Sequence, residues 1–193
     1  HWWSFLAPLL ADRWHCVAFD LSGHGDSGRR EAYSLDAWVG EVMAIAERSG
    51  FPGPPVLVGH SMGGLVAIQA ARDAGDHLAG VVLVDAPLQR PDPESQAASR
   101  TRGLRAPGVY PTRAAALARF RVMPAQPVRH PFLFDHVAGH SIREVPGGWT
   151  WKFDPEVFRR PRQSMGERLG EARCRLALIH GEHSALVPPA LAA

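Results

Sequence analysis

Val56-Leu57-Val58-Gly59-His60-Ser61-Met62-Gly63-Gly64 is the stretch whose reading decides the fold. Val56, Leu57 and Val58 make a short continuous apolar run, as in a strand buried on both faces. Leu65, Val66, Ile68, Ala70 and Ala71 follow with helical spacing, so a serine stands where a strand turns into a helix. A residue at so sharp a turn is driven toward positive φ, which non-glycine residues avoid, and small neighbours are needed where a side chain would collide. Gly59 and Gly63 are expected to be those neighbours. The turn would hold the Ser61 hydroxyl outward, and the Met62 amide would open the helix, pointing to where negative charge develops on an attacked carbonyl.

Outward from this stretch, strands alternate with helices. Trp3, Leu6, Leu9 and Leu10 have helical spacing, and Cys16-Val17-Ala18-Phe19 reads as a short buried strand ending at Asp20. Leu21 to Gly28 is a loop in which Asp20 and Asp26 act as ties. Ser34 is placed to cap a helix with the stripe Leu35, Trp38, Val39, Val42 and Ile45, and Pro52-Gly53-Pro54-Pro55 stops it. Val81 to Val84, ending at Asp85, and Leu176 to Ile179, ending at His180, read as two further strands. Apolar strands alternating with helices imply a mostly parallel sheet with helices on both faces, and ligands of such sheets bind beyond the carboxyl ends of the strands.

From Pro87 to about Gln163 the rhythm breaks, with many prolines and the aromatic stretch Gly147-Gly148-Trp149-Thr150-Trp151-Lys152-Phe153-Asp154. A structureless loop of this length is improbable inside a compact domain, so a mainly helical cap or lid is expected. Its best helix runs from Ala114 to Phe120 with Thr112 as cap. The expected division is residues 1–86 and 164–193 for the core and 87–163 for the lid.

The order of helix, strand, Gly23-His24-Gly25-Asp26-Ser27-Gly28 loop, helix, Gly-His-Ser-Met-Gly-Gly elbow, strand, insertion and Gly-Glu-turn strand resembles the α/β-hydrolase superfamily over essentially the whole chain. Phe120-Arg121-Val122-Met123-Pro124 and the Gly-Trp-Thr-Trp-Lys-Phe-Asp stretch are similar to cap segments of bacterial carboxylesterase-like hydrolases. The resemblance implies an α/β-hydrolase fold truncated at both ends. A His-Gly loop carrying the second oxyanion amide would precede His1, and the catalytic histidine would follow Ala193.

The resemblance also frames the acid. Most relatives carry it in a Gly-Glu-x-Asp turn after the strand matching residues 176–180, but here the turn reads Gly181-Glu182-His183-Ser184. Some relatives take the acid from the end of the strand after the elbow helix, where Asp85 stands. Asp85 ranks first and Glu182 second, and an absent acid stays open, because a triad is defined by geometry rather than chain order.

The remaining residues are read conservatively. His24 is expected to brace its loop, and His60 to support the elbow from behind. His130, His136 and His140 lack the spacing of a strong zinc motif, so neither metal nor cofactor is expected. Trp149 and Trp151 suit the lid's own core better than a substrate pocket. The Arg pairs 29–30 and 159–160 read as solvated surface, and Cys16 and Cys174 as buried, reduced thiols.

The chain has 193 residues, 46% hydrophobic and 21% charged, with a net charge of +2 that is not gathered into long runs. No nucleic-acid or membrane partner is implied. No signal peptide opens the chain and no run of 18 apolar residues occurs, which points to the cytoplasm. The expected activity is hydrolysis of a small-molecule, ester-like substrate through a Ser61 acyl-enzyme. Serine rather than aspartate at the elbow disfavours dehalogenase and epoxide-hydrolase chemistry. The alternative is a non-catalytic, receptor-like relative that keeps the pocket for binding.

Overall fold

The computed structural model describes residues 1–88, 108–159 and 165–187. Residues 89–107, 160–164 and 188–193 lie outside the described residues, and with them part of the expected lid and Arg160. The chain divides into two compact units, residues 33–100 with 160–193 and residues 1–32 with 101–159.

The first unit contains the sheet. Ser34 accepts a hydrogen bond from the Ala37 amide at 3.1 Å, satisfying an open donor at the start of α2 (Leu35–Arg48). The expected stripe follows, with Leu35, Trp38, Val39 and Val42 buried. β1 (Val56–His60), α3 (Met62–Ala74), β2 (Gly80–Val84) and β5 (Leu176–Ile179) complete the unit, β5 being numbered after two strands of the other unit. The sheet order is β1-β2-β5, all parallel, with Val56 opposite Gly80, His60 opposite Val84 and Val84 opposite Ile179. Parallel strands cannot be joined by a tight turn, and α3 provides the crossover from β1 to β2. The connection between β2 and β5 leaves at Leu88 and returns at Gly166, whose amide donates to the Leu88 carbonyl at 3.0 Å.

Alternation along the strands separates two faces. Val81 and Leu83 are buried, and α3 packs on β1 and β2 and against α2. On the opposite side Val58 is 43% and Ile179 57% exposed. The expectation that Val56 to Val58 is buried on both faces is therefore corrected. β1 is an edge strand of the described sheet, and the described helices of this unit cover one face.

A polar network ties α2, α3 and the 3-10 turn Gly166–Glu171 together. Gln69, 2% exposed, donates through Nε2 to Asp36 at 2.9 Å and Asp73 at 2.7 Å, while its Oε1 accepts from Arg168 at 2.7 Å. The Arg72 side chain, bonded to Asp73 at 2.7 Å, is the main reason the Asp73 carboxyl lies below its ordinary range, with Gln69 adding to it. Gln69→Leu keeps the volume but removes three hydrogen bonds. It is expected to cost about 1 kcal/mol in urea unfolding, since the buried amide's bonds are lost while the exposed Asp36 and Asp73 carboxylates return to water. Unchanged stability would count against the network.

The second unit begins with α1 (Ala7–Leu10), one turn long and with no buried residue. The expected strand at Cys16 to Phe19 is not formed: the segment lies in no ladder among the described residues, and Cys16, Val17 and Phe19 are exposed. An apolar run becomes a strand only when a neighbour accepts its backbone bonds. The buried-thiol expectation fails with it for Cys16. Cys174, in the first unit, is half-buried, and that burial pushes its thiol pKa up.

In the same unit Thr112 caps α4 (Arg113–Leu117), accepting from the Ala115 amide at 3.1 Å. α5 (Pro131–His140) leads into an antiparallel hairpin of β3 (Ile142–Val145) and β4 (Gly148–Trp151), joined at Pro146-Gly147 with Gly147 at φ 89°. The mainly helical expectation missed this hairpin. Phe120, Val137 and Ala138 form a small core, onto which Phe134, Leu117, Val122 and Trp151 pack. Trp151 thus belongs to the unit's own core, and Trp149 takes the Arg113 guanidinium 6.0 Å from its ring centre.

The Gly23 loop closes on itself. The Asp20 carboxylate accepts from the Asp26 amide at 3.0 Å, the Ser27 hydroxyl donates to the Asp20 carbonyl at 2.5 Å, and His24 Nδ1 lies 3.3 Å from the Ser22 carbonyl. Asp26 is fastened to Lys152 at 2.7 Å, and Arg29 approaches Asp154 at 4.0 Å. Arg29 and Arg30 are exposed, as expected, and Arg30 donates to the Ser22 hydroxyl at 3.0 Å.

Candidate active site

The carboxyl ends of β1, β2 and β5 stand side by side because their register is level. One residue beyond the strands the ladder continues. The Ser61 amide donates to the Val84 carbonyl at 3.0 Å, and the Asp85 amide donates to the Ile179 carbonyl at 2.8 Å. These bonds align Ser61, Asp85 and His180 along one edge of the sheet.

Ser61 has φ 51° and ψ −116°, and Asp85 has φ 47°; they are the two non-glycine residues at positive φ among the described residues. Such backbones cost on the order of 1–3 kcal/mol each and persist only where surrounding structure imposes them. At Ser61 the imposing contact is the approach of β1 to the first turn of α3. A Cβ on Gly59 would collide with the Gly63 carbonyl, and one on Gly64 would stand 2.5 Å from the Ala86 Cβ. A Cβ on Gly63 would meet nothing within 4 Å among the described residues. The sequence reading therefore named one correct glycine, Gly59, and one that geometry does not require. Gly64, between the elbow and the residue after Asp85, was missed.

Gly59→Ala and Gly64→Ala are accordingly expected to destabilise the fold by about 1–3 kcal/mol, as overpacking does. Gly63→Ala should stay near the parent. Denaturant titration of the three variants checks the ranking, and equal losses at all three would contradict it.

Ser61 precedes α3 without capping it through its side chain. Met62 is the first residue of α3, so its amide is among the donors a helix leaves without an intrahelical acceptor. The positive end of the helix dipole adds to the preference for negative charge at this point.

Asp85 supplies the complementary feature. Its Oδ1 is buried without a hydrogen-bond partner among the described residues. A carboxylate oxygen left so is costly unless a donor arrives. Its charge also acts on His60, drawing that imidazole's pKa upward, but desolvation outweighs the attraction and holds His60 below its ordinary value.

Glu182 and His183 are exposed, and His180 is half-buried. Ser184, at the usual acid position, accepts at Oγ from the Leu186 and Val187 amides, both at 3.0 Å. Its hydroxyl thus shapes the turn after β5. Among the described residues no helix is long and apolar enough to cross a membrane.

Comparison with known proteins bears on the family and the fold. The model of the α/β-hydrolase fold family matches residues 1–129. The chain belongs to that family. It is 30% identical to an esterase of Mycobacterium tuberculosis over 160 residues, 80% of this chain and 52% of the relative. It is 37% identical over 82 residues to a pimeloyl-[acyl-carrier protein] methyl ester esterase of Methylococcus capsulatus, 42% of this chain and 30% of the relative. A solved thioesterase domain from the curacin biosynthetic pathway superposes with TM-score 0.74 at 26% identity, covering 99% of this chain and 72% of that one. The chain thus spans about half the length, or less, of these two curated relatives.

Proposed function

We propose that this chain is the nucleophile-bearing part of a serine hydrolase that cleaves carboxylic esters of small molecules. Ser61 Oγ attacks the ester carbonyl, the alcohol leaves, and water releases the acyl group from the serine. The Met62 amide donates to the oxyanion, and a second amide is expected from the family pattern. The proton of Ser61 passes to a histidine, which that pattern puts after Ala193, and Asp85 holds the resulting imidazolium.

The observation that carries this reading is the pairing of a strained Ser61 at the head of α3 with a buried Asp85 oxygen, without a partner among the described residues, at the end of the adjoining strand. Asp85 has an acceptor waiting for a donor, whereas Glu182 is exposed. Relatives named esterases support ester bonds as the substrate class.

The test is pre-steady-state hydrolysis of p-nitrophenyl acetate by the full-length protein. A burst of p-nitrophenol close to one equivalent per chain is expected, because acylation and deacylation are separate steps. Ligand binding without any turnover would favour the receptor-like reading instead.

A further inference from the structure

We propose that His1, His136 and His140 together form a binding site for a divalent transition-metal ion of the zinc, nickel or copper class. All three lie in the unit of residues 1–32 and 101–159, whereas Ser61 and Asp85 belong to the other unit.

His136 and His140 are four residues apart on α5, so helical periodicity puts their side chains on one face. Their ring centres are 4.3 Å apart. The His1 ring lies 3.8 Å from His140 and 5.8 Å from His136. One ring nitrogen from each residue falls within 4.8 Å of the others. Four-coordinate zinc with bonds of about 2.0–2.1 Å needs nitrogens roughly 3.3 Å apart, so closing the set asks for no more than about 1.5 Å of ring movement. His1 and His140 are exposed and have room to supply it.

Two details prepare these rings as ligands. His140 Nδ1 lies 2.8 Å from the His136 carbonyl, which can only accept, so Nδ1 carries the proton and Nε2 presents its lone pair. A ring nitrogen bonded to a carbonyl is how metal-bound histidines are commonly oriented. His136 Nε2 is buried with no partner among the described residues, a cost that a metal bond would remove. Phe5 packs edge-on against His136 at 4.9 Å and against Phe132 at 5.8 Å, giving the group an apolar wall.

The donor set selects the ion. Three imidazoles suit zinc, nickel and copper, whereas magnesium and calcium take oxygen ligands. Three protein ligands leave a fourth position for water or another small ligand. Binding would clip the segment beginning at His1 to α5, and an ion that binds only the folded chain stabilises it.

The experiment is calorimetric titration of the metal-free full-length protein with zinc chloride, accompanied by the visible spectrum of the cobalt complex and by melting curves. One strong site is expected, with a rise in melting temperature on adding zinc. His1→Gln and His140→Gln, both at exposed positions, should each weaken zinc at least tenfold and reduce that rise, and the triple Gln variant should abolish the site. His130→Gln, on the residue that precedes α5 but outside the group, should leave affinity unchanged. Parent-like zinc affinity in folded His1→Gln and His140→Gln, or an equal loss in His130→Gln, would overturn the proposal. Cobalt spectra without nitrogen-ligand bands in the parent would overturn it as well.

Discussion

Ser61→Ala is expected to lower kcat for ester hydrolysis by roughly 10³- to 10⁶-fold and to abolish labelling by a fluorophosphonate probe. The size follows from the division of labour at the elbow. Without the hydroxyl no acyl-enzyme forms, and the Met62 amide retains only the part of the acceleration due to binding an oxyanion. The fold should survive, because the Ser61 side chain does not cap α3 and its structural bond is the main-chain donation to Val84. Alanine at a φ of 51° carries the same backbone strain as serine. Circular dichroism matching the parent, together with lost labelling, is therefore the predicted combination. Labelling retained in the variant would remove Ser61 from the mechanism.

The second large effect is expected at Asp85. Asp85→Asn should leave the fold intact and reduce kcat by roughly 10³- to 10⁴-fold, since an amide favours the wrong imidazole tautomer and cannot balance an imidazolium. Glu182→Gln should change little, because that side chain is exposed. Ser184→Asp adds a partial rescue in the Asp85→Asn background if both positions reach the same imidazole. An aspartate there can still accept the Leu186 and Val187 amides that Ser184 now holds. Steady-state kinetics of the four proteins decides between the two acids. A damaging Glu182→Gln beside a harmless Asp85→Asn would transfer the role to Glu182.

What the sequence by itself determined was local in origin. The cap at Ser34, the stripe of α2, the three apolar strands and the strand–serine–helix elbow each depend on residues within about a dozen positions of one another, and the structure contains them all. The parallel order followed from alternation of strand and helix. Thr112 was legible as a cap for the same reason.

Tertiary structure alone decided what depended on distant partners. Cys16 to Phe19 had a strand's composition but lacks a ladder among the described residues, and β1 had a buried strand's composition but lies at an edge. Gly64 is required by Ala86, and Gln69 by Arg168, neither of which local pattern can reveal. Register set Asp85 beside Ser61 and left its Oδ1 buried without a partner among the described residues, a placement that supports the proposed role of Asp85 and that local pattern could not reveal. His136 and His140 were visible as a helical pair, but the third ring comes from His1, at the opposite end of the unit's sequence. Periodicity reports which side chains share a face of one element. Which elements share a neighbourhood is set by chain packing over long separations, and a local reading of residues has no access to it.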